Sequence, residues 1–480
     1  MQRFMTALCA LALFAVAAAP ALADGSARDV QAALDSYLAN DTADVALVGG
    51  PGSAGYDNGF WIRGGDFLLR ANVTLQARFE AMDYDESQPP EQAGGGIVIG
   101  AGQVIGPDFF GGDLSGFSLP RATLKLSGEA PCNIRWYMEL EFGHFGRDVV
   151  EFYADNGGVN AQFLPQNSGN LGSAFAIGQS HNYDNTREAW IEWGCSDALN
   201  FRMGQIALPT TRQLMVKPEL QQFVDISLAS AFVGQILPGY TDRNRDHGLM
   251  IHGAFGCNSE WSYMLAISNG DGGDSIRNVL DHRTSDGLAF SGRVNWAFAK
   301  PIGYQEGALA QETCGWYGEI GAWGFVYADR IDKNHTVIAD STRFGVDLAL
   351  GWGGFSFTGA YTMGTDEQHI LAGGSDLDMT AWLAQIGYHF PGTAWELAAR
   401  ASSYDLDPDM GGGGATTELA FAINYYLNGH GNKFTVDISF FEGNDPGSFL
   451  IWDAYTGIGG WAFGEETFGT LLRFQWQLAL

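Results

Sequence analysis

Beyond its first two dozen residues the chain has no apolar run approaching the ~20 residues that a transmembrane helix requires. That excludes a helical membrane bundle but leaves open a membrane protein that crosses with strands. Basic residues are few: 25 Lys and Arg stand against 55 Asp and Glu, a formal net charge of -30. A field of that sign disfavours nucleic acid as a partner. No proline-rich or serine-rich linker divides the sequence, so one large domain is expected after a short leading segment. The catalytic signatures a sequence can display openly are missing too: there is no His-Glu-x-x-His, no phosphate-cradling P-loop and no Gly-x-Ser-x-Gly elbow. Asp246-His247 resembles an acid-base pair, but adjacent residues of a strand point to opposite faces. No enzyme is expected.

What is present begins with Arg3, an apolar run from Phe4 to Ala19, and the small residues Ala21-Leu22-Ala23. Charge, apolar run and Ala-x-Ala in that order predict a cleaved secretory signal over residues 1–23. Residues 24–59 carry Val30, Ala33, Leu34, Tyr37 and Leu38 at helix-like intervals, so a periplasmic segment with a short helix is expected there. Residues 60–480 follow a different rule.

From Leu69 to Glu80 the side chains alternate. Leu69, Ala71, Val73, Leu75, Ala77 and Phe79 share one face; Arg70, Asn72, Thr74, Gln76, Arg78 and Glu80 share the other. Leu472, Phe474, Trp476, Leu478 and Leu480 do the same at the far end, against Arg473, Gln475 and Gln477. A helical period of 3.6 would scatter these polar groups, whereas period two collects them. Sixteen such segments are expected, from one near 68–80 to one near 467–480, with short turns alternating with much longer connections.

A secreted β-sandwich would also alternate. Unbroken oily faces at both chain ends, and aromatics near strand termini such as Phe79, Phe142, Trp193 and Phe390, favour a membrane shell with an aromatic girdle. In hydrocarbon an open sheet edge leaves backbone groups unpaired, so the sheet must close. The expectation is an all-β fold: a sixteen-stranded antiparallel transmembrane β-barrel with short periplasmic turns and long extracellular loops, in the outer membrane. Its oily face meets outer-membrane lipid and its polar face lines a wet lumen.

Several segments in order resemble the phosphate-selective porins, the outer-membrane porins O and P and their relatives. They are Gly59-Phe60-Trp61-Ile62, Leu75-Gln76-Ala77-Arg78, Leu119-Pro120-Arg121-Ala122-Thr123-Leu124, Arg202-Met203-Gly204-Gln205-Ile206, Arg245 through Gly253, Asn269-Gly270-Asp271-Gly272 and Gly292-Arg293-Val294. The resemblance implies a homotrimer that passes small hydrophilic solutes or ions, with the connection after the fifth strand folded into the lumen. Here that connection spans 209–246 and holds Arg212, Lys217 and Arg243. Its apolar middle, Ile226 through Ile236, either packs on the inner wall or covers a subunit contact.

The candidate pore-lining residues are Arg70, Arg78, Glu80, Arg121, Lys125, Arg135, Glu139, Glu141, Arg202, Arg293 and Arg473. Anion selectivity needs concentrated positive charge at a constriction. Because carboxylates share the same face and each arginine could pair with one, a general diffusion channel is expected ahead of a phosphate- or anion-selective one. The last strand ends Trp476-Gln477-Leu478-Ala479-Leu480 where a terminal phenylalanine is common in such barrels.

With Cys9 in the leader, Cys132, Cys195, Cys257 and Cys314 remain, each just before an expected strand and all on the short-turn rim. In an exported protein one or two disulfides among them are expected, with the pairing open between three arrangements. No cofactor is expected, although acidic stretches such as Asp83-Tyr84-Asp85-Glu86 and Asp405 through Asp409 could bind divalent cations.

Overall fold

The computed structural model describes residues 46–47, 50–56, 59–84, 97–99, 103–105, 114–142, 149–155, 158–164, 186–236, 244–256, 258–270, 288–307, 315–331, 337–368, 377–406, 415–443, 450–452, 460–462 and 467–480. The signal, the expected short helix, Arg243, Cys257 and Cys314 lie outside them. The chain divides into two compact units, residues 1–70 and 71–480. In the first, Gly50–Tyr56 pairs antiparallel with Phe60–Gly64, a strand pair that the sequence reading had not anticipated.

The second unit is a closed antiparallel barrel. Its strands are β1 (Phe67–Tyr84, which starts in the first unit), β2 (Leu114–Ala130), β3 (Ile134–Glu141), β4 (Thr186–Ser196), β5 (Leu199–Ala207), β6 (Arg245–Phe255), β7 (Trp261–Ser268) and β8 (Ala289–Ala297). They continue as β9 (Tyr317–Ile331), β10 (Val337–Trp352), β11 (Phe355–Gln368), β12 (Leu377–His389), β13 (Trp395–Leu406), β14 (Ala415–Asn428), β15 (Asn432–Gly443) and β16 (Thr467–Ala479). Each pairs with its chain neighbours, and β16 returns to β1 in register from Gly469↔Tyr84 to Ala479↔Thr74, closing the ring at sixteen strands. Closure satisfies the edge amides and carbonyls that lipid could not.

Burial follows the period-two pattern with the sign reversed from a soluble barrel. On β14, Leu419, Phe421 and Ile423 are exposed while Ala420, Ala422 and Asn424 are buried. The outer face is thus apolar and the inner face is where polar groups are sequestered. Near the short-turn ends aromatics stack in separate groups: Phe255 on Trp261, Trp261 on Trp296 and Trp296 against Phe298; Trp316 on Trp352; and Phe434 on Trp476. Amphipathic rings at one level are what a membrane-water boundary selects.

Several details differ from the sequence reading. Strands run past their expected ends on the long-connection side, as in β10, because a hydrogen-bond ladder continues where the alternation of oily and polar residues has already stopped. Short hairpins occupy the long connections, Ile97–Ile99 with Gln103–Ile105, Val149–Asp155 with Gly158–Leu164, and Leu450–Trp452 with Gly460–Ala462. Cys195 lies inside β4 rather than in the turn after it. On the short-turn rim, the segment after β8 reaches inward at Glu306, which no local signal announced. No described helix is long and apolar enough to cross a membrane.

Candidate functional site

The connection between β5 and β6 enters the barrel. Its base is pinched shut: Leu208 N donates to Asn244 O at 2.8 Å and Asn244 Nδ2 donates to Leu208 O at 2.6 Å. Beyond it come α1 (Arg212–Met215), a 3-10 turn at Pro218–Leu220 and α2 (Leu228–Ile236). Pro218 opens the turn, where its missing N–H costs nothing. Ser227 precedes α2 and accepts from Ser230 N through its hydroxyl, at 3.1 Å, which caps an orphan amide.

The loop has two means of attachment. Irregular backbone inside a barrel cannot leave its N–H groups bare, and wall carboxylates answer them. Arg212 N donates to Asp347 at 3.1 Å, Val224 N to Asp437 at 3.0 Å and Leu228 N to Glu418 at 2.9 Å. Gln222 N donates to Glu306 at 2.9 Å, from the inward-reaching connection after β8. Gly387 on β12 makes room for this: a Cβ there would collide with the Gln222 amide. The second attachment is apolar. Leu228, Ala229, Phe232 and Val233 of α2 join a buried cluster with Trp323, Phe325, Met379, Ala381, Tyr404 and Leu471 from four strands. Phe232 stacks on Tyr404 with centroids 4.2 Å apart. The apolar middle of the connection is therefore satisfied by an apolar patch inside the barrel wall.

Most of the charged residues singled out from the sequence sit beneath or beside this loop. Arg78 donates to Glu80 at 2.9 Å and to Gln475, and with Arg121 it reaches Asp225 of the loop at 3.5 and 3.2 Å. Lys125 pairs with Glu219 of the loop. Glu139 and Glu141 face Arg187 at 3.3 and 3.7 Å. Arg293 binds Asp347 bidentately at 2.7 and 2.6 Å, and Arg473 binds Asp437 at 2.8 and 2.7 Å. Arg212 lies near Glu319 at 3.6 Å and donates to Gly303 O. All of these wall residues are buried. Arg70 falls in the first unit, half-buried.

A different set keeps contact with water. Arg135 on β3 and Arg202 on β5 both reach Glu192 on β4, at 2.6 and 2.7 Å, and His252 on β6 joins at 2.7 Å. The side chain of Glu192 is 2 % exposed, while that of Arg135 is 49 % and that of Arg202 is 24 %. Tyr137 and Trp190 stack beside them at 5.6 Å, and the Arg202 guanidinium lies 3.9 Å over the Trp190 ring. From the loop, exposed Lys217 places its ammonium 5.3 Å over Tyr137. One acid is thus sunk among three basic groups, and a fourth lies over the nearby Tyr137 ring.

Glu219 shows the same asymmetry. Burial alone would raise its carboxyl, but the Lys125 and Lys217 ammonium groups outweigh that and hold it below the usual range. Sequence reasoning marked Arg135, Arg202 and Lys217 but not His252, Trp190, Arg400, Glu418 or Glu306. Period two on β13 and β14 could have found Arg400 and Glu418. Nothing local marks Glu306, whose partner is 84 residues away.

A closed sixteen-stranded barrel with an apolar exterior, a polar interior and a folded-in loop defines an outer-membrane channel protein. The family model for phosphate-selective porin O and P matches residues 92–440, and the chain belongs to that family. It is accordingly a porin, a route for passive diffusion across the outer membrane. Among solved structures, the anion-selective porin from Comamonas acidovorans is similar at 13 % identity and TM-score 0.50, over 86 % of this chain and 100 % of that one. OmpT of Vibrio cholerae is similar at 9 % identity and TM-score 0.48, over 86 % and 99 % of the two chains. The outer membrane channel DcaP of Acinetobacter baumannii is similar at 10 % identity and TM-score 0.44, over 85 % and 97 %. No curated protein sequence matches.

Proposed function

We propose that this porin passes small hydrophilic solutes and ions with a preference for anions, and that the preference is set on the wall formed by β3 to β6. The observation that carries this reading is that on this wall Glu139, Glu141 and Glu192 are buried while Arg135 and Lys217 are exposed and Arg202 is half-buried. A carboxylate buried against a guanidinium projects little net field into the lumen, whereas an exposed guanidinium acts on each passing ion. Arg135, Arg202 and Lys217 are the groups in that position. Arg78, Arg121, Lys125, Arg293 and Arg473 hold the loop and the wall together instead, and the loop narrows the lumen. This ranks anion preference above the unselective channel that the mixture of charges in the sequence suggested.

The remaining parts of the reading rest on the family and the sequence. They are a homotrimer, export through the periplasm with loss of residues 1–23, transport without any chemical reaction, and divalent cations at the acidic long connections. Purified protein in planar bilayers tests selectivity directly, through the sign of the reversal potential in a salt gradient. An anion-selective sign, with current reduced by added phosphate, supports the reading. A neutral or cation-selective sign overturns it.

A further inference from the structure

Two cysteines, Cys132 and Cys195, lie near each other in the chain pairing on the short-turn rim. Strands β3 and β4 pair with Ile134 opposite Trp193 and Arg135 opposite Glu192. Just past the end of this pairing, Gly194 N donates to Asn133 O at 3.0 Å. Cys132 and Cys195 are the next residues along the two chains from that bond, on the same side of it. Backbones joined by such a bond lie ~5.5 Å apart, the scale of the ~4.4–6.8 Å that a disulfide spans between Cα atoms.

Both thiols are unbonded and exposed in the structure. Cys132 and Asn133 form the tight turn between β2 and β3, with φ of 66° and 60°. The turn thus sets Cys132 beside the end of the neighbouring hairpin, next to the Gly194–Asn133 bond.

We infer that Cys132 and Cys195 form a disulfide in the exported protein, tying the β2–β3 turn to the end of β4. The inference rests on export out of the reducing cytoplasm. The oxidant is a protein disulfide of the exported compartment. One cysteine thiolate attacks that disulfide to give a mixed disulfide and release one oxidant thiol. The second thiolate then displaces the other oxidant sulfur. One S–S bond forms, two thiol protons leave, and the two electrons reduce the oxidant to its dithiol. Three rungs inward on the same two strands lie Arg135 and Glu192, so the bridge closes the rim below the proposed selectivity wall.

Full-length protein from outer-membrane fractions, alkylated under denaturing conditions without reductant and then digested, tests this. A linked peptide pair carrying Cys132 and Cys195 that separates on reduction is expected. Cys132→Ser and Cys195→Ser should each turn the partner from unlabelled to fully alkylated. Free alkylation of both thiols in the unreduced protein, or a link from either to Cys257 or Cys314, overturns the inference. Neither result depends on which ions the channel prefers, so the covalent site and the selectivity proposal fail separately.

Discussion

Replacing Arg135 by glutamine removes one exposed charge from the channel wall while Glu192 keeps Arg202 at 2.7 Å and His252 at 2.7 Å. The expected size can be worked through. An ion passing ~5 Å from a unit charge in water interacts by about 0.8 kcal/mol. At 0.1 M salt, screening over a ~10 Å Debye length lowers that to about 0.5 kcal/mol. The loss acts with opposite sign on anions and cations, so the difference between them changes by about 1 kcal/mol, or roughly fivefold in the permeability ratio. The assay is the reversal potential of Arg135→Gln against the parent protein, in the same bilayer and gradient. The shift should be toward cations and should shrink as salt is raised. A change below about twofold, or one toward anions, would refute the assignment of selectivity to this wall.

Other outcomes follow from the loop and the turns. Asp437→Ala strips the buried Arg473 guanidinium of its bidentate partner and Val224 N of its acceptor, so unfolding in denaturant should show a loss of about 3–5 kcal/mol; a loss under about 1 kcal/mol would contradict it. Phe232→Ala should weaken docking of α2 by about 3–5 kcal/mol while leaving the strand ladder intact. Single-channel current should then rise and fluctuate with no change in barrel melting, and a quiet, unaltered current would argue against a narrowing role for the loop.

His430, in the turn between β14 and β15, is pushed down to about 3 by burial and by the nearby Lys433 ammonium. Its folded value lies below the ordinary 6.5, so its contribution to stability is complete above that pH and is lost progressively as pH falls toward about 3. Acid unfolding of His430→Gln should be less steep over that window than in the parent. Parallel curves would contradict the placement.

The barrel was legible because its signal is local and repeated. On β1, β14 and β16 every second residue must meet lipid, so Leu75 and Ala77, or Phe474 and Trp476, declare one face and Gln76 and Arg78, or Arg473 and Gln475, the other. Candidate lumen residues could be named by parity alone. Parity could not say which of them reach water. Arg78 and Arg135 read identically along their strands, yet one is covered by Asp225 of the inner loop and the other stands open beside Glu192.

What the sequence by itself determined is the strand period, the apolar exterior and, through the cost of an unpaired edge in lipid, the closure of the ring. Only the tertiary structure decided the charge of the open lumen. That charge depends on contacts between residues far apart in the chain: Val224 with Asp437, Lys125 with Glu219, and Gln222 with Glu306. Each such contact takes one charge out of the water or leaves another in it, and no periodicity along a single strand encodes that choice.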